Sequence, residues 1–486
     1  MAIQNELKPK AVFDYFAQIN KVPRPSKHEE KMIEFLKNFA KKHNLPCKVD
    51  KAGNVLISKP ASKGMEDRAT IVLQSHMDMV CEKTSDCKID FTKDPITTYV
   101  DGEWMRAKGT TLGADDGIGD AMQMAVLTDE TLKHGPIECV FTRDEETGLT
   151  GAFEMKSDFM TGKYLLNLDS EDEGEIFIGC AGGINTEITF SYKPVAVPRG
   201  FISLKVSVDK LTGGHSGDDI NKNRANANKV LARFLYQAEK AGKLRLVSFN
   251  GGNLHNAIPR NAEAVIMVPE ADKHKIRKHF NVFISQIEEE YHKTEPNVAF
   301  KMQSVDKPKS VMDKETSSKI ICALQAVHNG VLEYSQDIPG LVETSSNLAS
   351  VKMLGDNKVH IVTSQRSSIL SQRDAMRDTI IATFTAAGAK CKATDGYPGW
   401  TPNPDSTILK IAVDAYKKLF KKDPAVKAIH AGLECGLFAE KYPGMDMISF
   451  GPTLRGVHSP DECLLIPTVQ MVWDHLVEIL ENAPKN

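Results

Sequence analysis

The stretch IVLQSHMDMV, residues 71–80, runs as an apolar strand and then turns polar at His76 and Asp78, two positions apart. Successive side chains of a strand point to opposite faces, so residues two apart share one face, and His76 and Asp78 would project together from the carboxyl end. Open α/β sheets usually carry their chemistry at that edge. A half-buried histidine held by a neighbouring acid explains this pair equally well on its own, so the surrounding sequence must decide.

Outward from this strand, helical and extended patterns alternate. Apolar residues at helical spacing mark EEKMIEFLKNFAKKHN, KVDKAGNVLISKP predicts a hairpin around Gly53, GIGDAMQMAVLTDE a helix, and IECVFTRDEE and KYLLNLDS two further strands. This alternation predicts an α/β domain with helices on both sides of a mixed sheet. Near residue 183 the texture changes to long alternating strands and separate helices, and after GYPGWTPNPDS the α/β texture returns. The expected organisation is one α/β domain over residues 1–183 and 397–486, interrupted by an inserted α+β domain over residues 184–396.

Composition removes several functional classes. The net charge is −3, with acids and bases mixed along the 486 residues, so neither a nucleic-acid face nor a polybasic membrane patch is expected. The first 30 residues hold no apolar signal core, and no run approaches the roughly 18 apolar residues of a membrane span, which points to the cytoplasm. Nine cysteines without a C-x-x-C pair argue for reduced thiols. Any metal would be held by His, Asp and Glu, a donor set suited to zinc, manganese or cobalt.

Four more stretches end in acids or imidazoles where apolar segments give way to loops. TTLGADDGIGDAM (110–122) offers Asp115 and Asp116, VFTRDEETGLTGA (140–152) offers Glu145 and Glu146, YLLNLDSED (164–172) offers Asp169, and GPTLRGVHSPDECLLIP (451–467) offers His458. Singly, each has an ordinary explanation: a helix cap, a solvated charge run, a loop histidine. Together they would repel one another unless a cation neutralised them. Two histidines and three carboxylates fit a pair of divalent metals sharing one carboxylate, about 3.5–4 Å apart with a hydroxide between them, the chemistry of aminopeptidases and deacylases. A separate carboxylate must then move protons, and the adjacent Glu145 and Glu146 could divide the tasks of shuttle and ligand. Asp78 could fix the tautomer of His76 from its far nitrogen.

SHMDMV, GADDGIG, DEETGLTGA, LNLDSED and HSPDE, in this order, resemble the di-zinc exopeptidase family that includes aminoacylase, peptidase T, peptidase V and carnosinase. The resemblance extends over nearly the full length through GGHSG, NAIPR, TDGYPGW and HAGLECGLF, and within the family it is nearest to members that cleave unblocked dipeptides ending in histidine. It implies two zinc ions per chain, one held by His76 and Asp169, the other by Glu146 and His458, with Asp115 bridging. It also implies Glu145 as general base and acid, and Asp78 as the residue orienting His76.

The insert is implied to be a lid or dimerisation domain, used by relatives either to form homodimers or, enlarged, in monomers. His215 in LTGGHSGDDI is implied to stabilise the oxyanion, and Asn256 in LHNAIPR and Arg366 in VTSQRSS to bind the peptide carboxylate. Glu434 in HAGLECGLF is expected near the substrate's free amine or the metals. An N-acyl amino acid deacylase or a tripeptide aminopeptidase on the same scaffold is the alternative activity. A noncatalytic binding or assembly protein is the alternative class, and Glu145 beside Glu146 speaks against it.

Overall fold

The computed structural model describes residues 7–486, so the first six residues of the N-terminal stretch lie outside it. The chain forms two compact units. One comprises the chain up to Cys180 with Trp400–Ala428 and Leu433–Asn486; the other comprises Ala181–Gly399 with the short segment Ile429–Gly432.

The first unit is built on a mixed eight-stranded sheet. Ile71–His76 lies parallel to both Ile137–Thr142 and Tyr164–Asn167, and Asp446–Ser449 lies parallel to the latter. Parallel strands covered on both faces read as continuous apolar runs, and every residue of Ile71–His76 and of Ile137–Thr142 is buried. Burial of side chains such as Ile71, Val72 and Leu73 stabilises the unit by about 1.5–3 kcal/mol each. Because these strands run the same way, the loops that follow them emerge at one edge. Those loops carry Asp78, Glu145, Glu146 and Asp169.

A second, four-stranded sheet of Leu454–Arg455, Cys463–Leu465, Trp104–Ala107 and Thr98–Asp101 was not read from the sequence. Its strands have two to four residues each, too few for an alternating pattern to register. The connection between Leu454–Arg455 and Cys463–Leu465 presents His458.

The core between helices Thr407–Phe420 and Ile466–Glu481 encloses His475, whose Nε2–H donates to the Ala412 carbonyl at 2.8 Å. Burial pushes this imidazole down to about 4. The unfolded chain therefore binds a proton that the folded chain refuses, so stability is full above pH 6.5 and is lost as pH falls toward 4, by roughly 3 kcal/mol. With chelator present, the melting temperature is expected to fall more steeply across this window than in His475→Gln; parallel curves would remove His475 from the acid response.

The second unit holds a nine-stranded sheet, whose core lies against helices that include Ala227–Ala241, Lys273–Glu290, Lys314–Ala326 and Leu370–Ala386. The sequence reading gave residues 429–432 to the flanking segments. They pack instead within this unit, where His430 Nε2 lies 2.7 Å from Ser345 Oγ.

Candidate metal centre

At the strand edge of the first unit, His76 Nε2 lies 3.0 Å from Asp115 Oδ1 and 3.5 Å from Asp169 Oδ1. The other oxygen of Asp115, Oδ2, lies 3.2 Å from His458 Nε2, which is also 2.9 Å from Glu146 Oε2. Asp115 thus stands between two imidazoles with one oxygen toward each. Two donor groups result, His76–Asp115–Asp169 and Asp115–Glu146–His458, each with ligand atoms within 4.8 Å of one another. Glu145 forms a further such group with His76 and Glu146. The His76 side chain is buried and those of Asp115 and Asp169 are 12% exposed, whereas His458 is 51% exposed, so the centre opens on the His458 side.

Local conformation explains how neighbouring acids take separate tasks. Asp115 and Asp116 both depart from helical φ/ψ, and Asp116 Oδ1 accepts the Gly119 N–H at 3.2 Å. Asp116 therefore caps the regular helix, the ordinary use of an Asp there, while Asp115 turns to the histidines. Asp144 (φ 50°) and His458 (φ 60°) occupy the left-handed region, a strained backbone that side chains rarely adopt. The Asp144 side chain accepts hydrogen bonds from the Thr147 and Thr150 hydroxyls, which fixes the turn carrying Glu145 and Glu146.

Asp78 reaches His76 Nδ1 at 3.4 Å. It also accepts the backbone N–H groups of Glu145 at 3.0 Å and of Glu146 at 3.3 Å, a second task that the sequence did not reveal. Arg24 was likewise missed: wholly buried, its guanidinium donates to the carbonyls of Met77, Asp78 and Gly113, joining two of the loops. Gly113 (φ 67°) and Gly117 leave it room, since a Cβ would stand 2.7 and 2.4 Å from Arg24 Nη2 respectively. The only sequence signal was an arginine between two prolines.

The electrostatics fit a cation-filled site. Burial pushes Asp169 up to about 7 and raises Asp116 and Glu145 well above the carboxylate range, with neighbouring carboxylates adding to the rise. Hydrogen bonds to Asp115 and Glu146 push His458 up to about 11. Burial opposes charge on His76, yet Asp169, Asp115 and Asp78 hold it well above its usual value. The cluster thus has more carboxylate than two imidazolium ions balance, and Glu146 Oε1 is buried without a hydrogen-bond partner among the described residues. Imidazole nitrogens and carboxylate oxygens in this arrangement are the donor set of zinc, manganese or cobalt.

Glu434 does not face solvent. Its Oε2 accepts from Gln74 Nε2 at 2.6 Å and Thr142 Oγ1 at 2.7 Å, and burial pushes it up to about 8. The charges of His76, Asp169 and Asp78 act on it, so Glu434 lies beside the candidate metal ligands, and its contacts with Gln74 and Thr142 tie it to the strand ends.

Within the second unit, His215 Nε2 lies 3.3 Å from Arg366 Nη2, and the Asn256 carbonyl accepts the Ser216 N–H at 2.8 Å. Arg366 is buried and donates to the Tyr397 hydroxyl at 3.0 Å; among the described residues no carboxylate pairs with it. Tyr397 was not singled out from the sequence.

Comparison with known proteins shows the family of the chain. The cytosol non-specific dipeptidase of Escherichia coli (strain K12) is 44% identical over 485 residues, covering 100% of both chains. The crystal structure of aminoacylhistidine dipeptidase from Vibrio alginolyticus superposes with a TM-score of 0.93 at 43% identity, over 99% of this chain and 98% of that one. The aminopeptidase PepT of Bacillus cereus, at 16% identity and a TM-score of 0.56 over 98% of each chain, shares the fold. The family model described as peptidase family M20/M25/M40 matches residues 72–482, from the strand bearing His76 to the last helix, and the chain belongs to that family as a metallopeptidase.

Proposed function

We propose that this chain hydrolyses unblocked dipeptides, preferentially Xaa-His, in the cytosol, using two divalent cations of which zinc is the first candidate. The observation that carries the reading is Asp115, whose Oδ1 and Oδ2 stand 3.0 and 3.2 Å from the Nε2 atoms of different histidines. His76 and Asp169 would hold one cation, Glu146 and His458 the other, with Asp115 shared. When bound, the pair would supply Lewis-acid polarisation of the scissile carbonyl and a water acidified enough to act as nucleophile near neutral pH.

The chain's own residues do the rest. The Glu145 carboxylate accepts a proton from the attacking water and returns it to the leaving amine nitrogen. Asp78 sits at His76 Nδ1, leaving Nε2 for the cation, and grips the backbone beneath Glu145. Arg366, a buried guanidinium without a carboxylate partner among the described residues, suits the peptide's terminal carboxylate, assisted by Asn256. His215 is assigned the developing oxyanion.

The test is hydrolysis of an Xaa-His dipeptide beside its N-acetylated and C-amidated forms, before and after chelation and zinc restoration. Cleavage of the free dipeptide alone, lost on chelation and regained with zinc, is expected. Preferential cleavage of the acetylated form would move the assignment to a deacylase.

A further inference from the structure

The HSPDE stretch contains an acid that the catalytic reading leaves without a task. Glu462 follows His458 by four residues and is 2% exposed. Its Oε2 accepts the N–H groups of Leu112 at 2.8 Å and Gly113 at 3.1 Å, and its Oε1 those of Ala114 at 2.9 Å and Asp115 at 3.4 Å. Four consecutive amides converging on one carboxylate form an anion-binding concavity, here filled from within the chain. Burial raises the carboxyl's pKa, and these N–H groups oppose the rise.

The two ends of this contact matter. The amides belong to the turn that delivers Asp115, and Glu462 stands at the foot of the loop whose tip is His458. From the opposite side, Arg24 holds the carbonyl of Gly113. The turn is therefore gripped through its donors by an acid and through its acceptor by a base. His76 and Asp169 depend on other supports: His76 pairs with Thr142 in the sheet, and the Asp169 N–H donates to Asn167 Oδ1 at 3.3 Å.

We propose that Glu462 is a positioning residue that latches the His458 loop to the Asp115 turn, and so sets the affinity of the cation position formed by Asp115, Glu146 and His458 more than that formed by His76, Asp115 and Asp169. The inference rests on the two-cation reading above. His458 is the most exposed of the candidate ligands and sits on a strained backbone, so it gains most from a second tether. Supports behind metal ligands commonly carry about a 10–100-fold effect on metal affinity.

The experiment titrates metal-free wild type, Glu462→Gln and Glu462→Asp with zinc against a chromophoric chelator, and records the zinc concentration for half-activation. Wild type is expected to bind two ions. In Glu462→Gln one dissociation constant should stay close to that of wild type while the other rises about 10–100-fold, and half-activation should shift with the weaker site. Unchanged constants, or an equal rise in both accompanied by a lower melting temperature, would reduce Glu462 to a structural residue and overturn the proposal. Fewer than two ions in wild type would overturn the two-cation reading itself. Hydrogen exchange on metal-free wild type needs no variant: the amides of Leu112–Asp115 should be protected before zinc is added, and rapid exchange there would refute the latch.

Discussion

Glu145→Gln is expected to retain the metal content of the parent enzyme and to lose turnover by about 10²–10⁴-fold, the range associated with a positioned acid–base group. The separation of effects follows from the geometry. The Glu145 backbone is held by Asp78 and the following turn by Asp144, so an isosteric change at the side chain leaves Glu146 in place. Burial and the neighbouring Asp169, Glu146 and Glu434 carboxylates raise the Glu145 carboxyl well above its ordinary value. Metal analysis alongside turnover of an Xaa-His dipeptide decides the matter. Normal turnover would remove Glu145 from proton transfer, and loss of an ion would make it a ligand.

Asp115→Ala is expected to lose high-affinity binding of both ions and to bring hydrolysis to the level of the chelated enzyme. Its two oxygens face different histidines, Oδ1 toward His76 and Oδ2 toward His458. Its neighbour provides the control. Asp116 Oδ1 caps the helix through the Gly119 N–H, so Asp116→Ala should cost about 1 kcal/mol of stability and keep both ions. Equal metal loss in the two variants, measured by elemental analysis after dialysis, would contradict this division of labour.

These neighbours also mark how far the sequence could be read. The apolar run ending in His76 located the strand edge, although His76 and Asp78 alone fitted a buried imidazole–acid pair equally well until the later motifs were added. The choice of the five candidate ligands, Asp115 rather than Asp116 among them, came from the resemblance and not from local pattern, and the structure brings their side chains together. What lay outside local pattern was lost. Which of Asp115 and Asp116 capped the helix depended on backbone angles, and the second task of Asp78 depended on a turn 67 residues away. Arg24 gave no periodic signal, and the short strands beside His458 were below the length at which alternation is visible. That Glu434, at the start of the helix Glu434–Lys441, bonds to Gln74 and Thr142 was hidden as well, because both partners lie 292 or more residues earlier in the chain. Glu462 sat in a quoted motif, but its four amide donors come from a turn about 350 residues earlier.

The most direct test of the central claim is an anomalous difference map, at the zinc edge, from crystals of the zinc-loaded protein. The account predicts two peaks about 3.5–4 Å apart, with Asp115 between them, His76 and Asp169 at one, and Glu146 and His458 at the other. A single peak, or peaks away from Asp115, would contradict it.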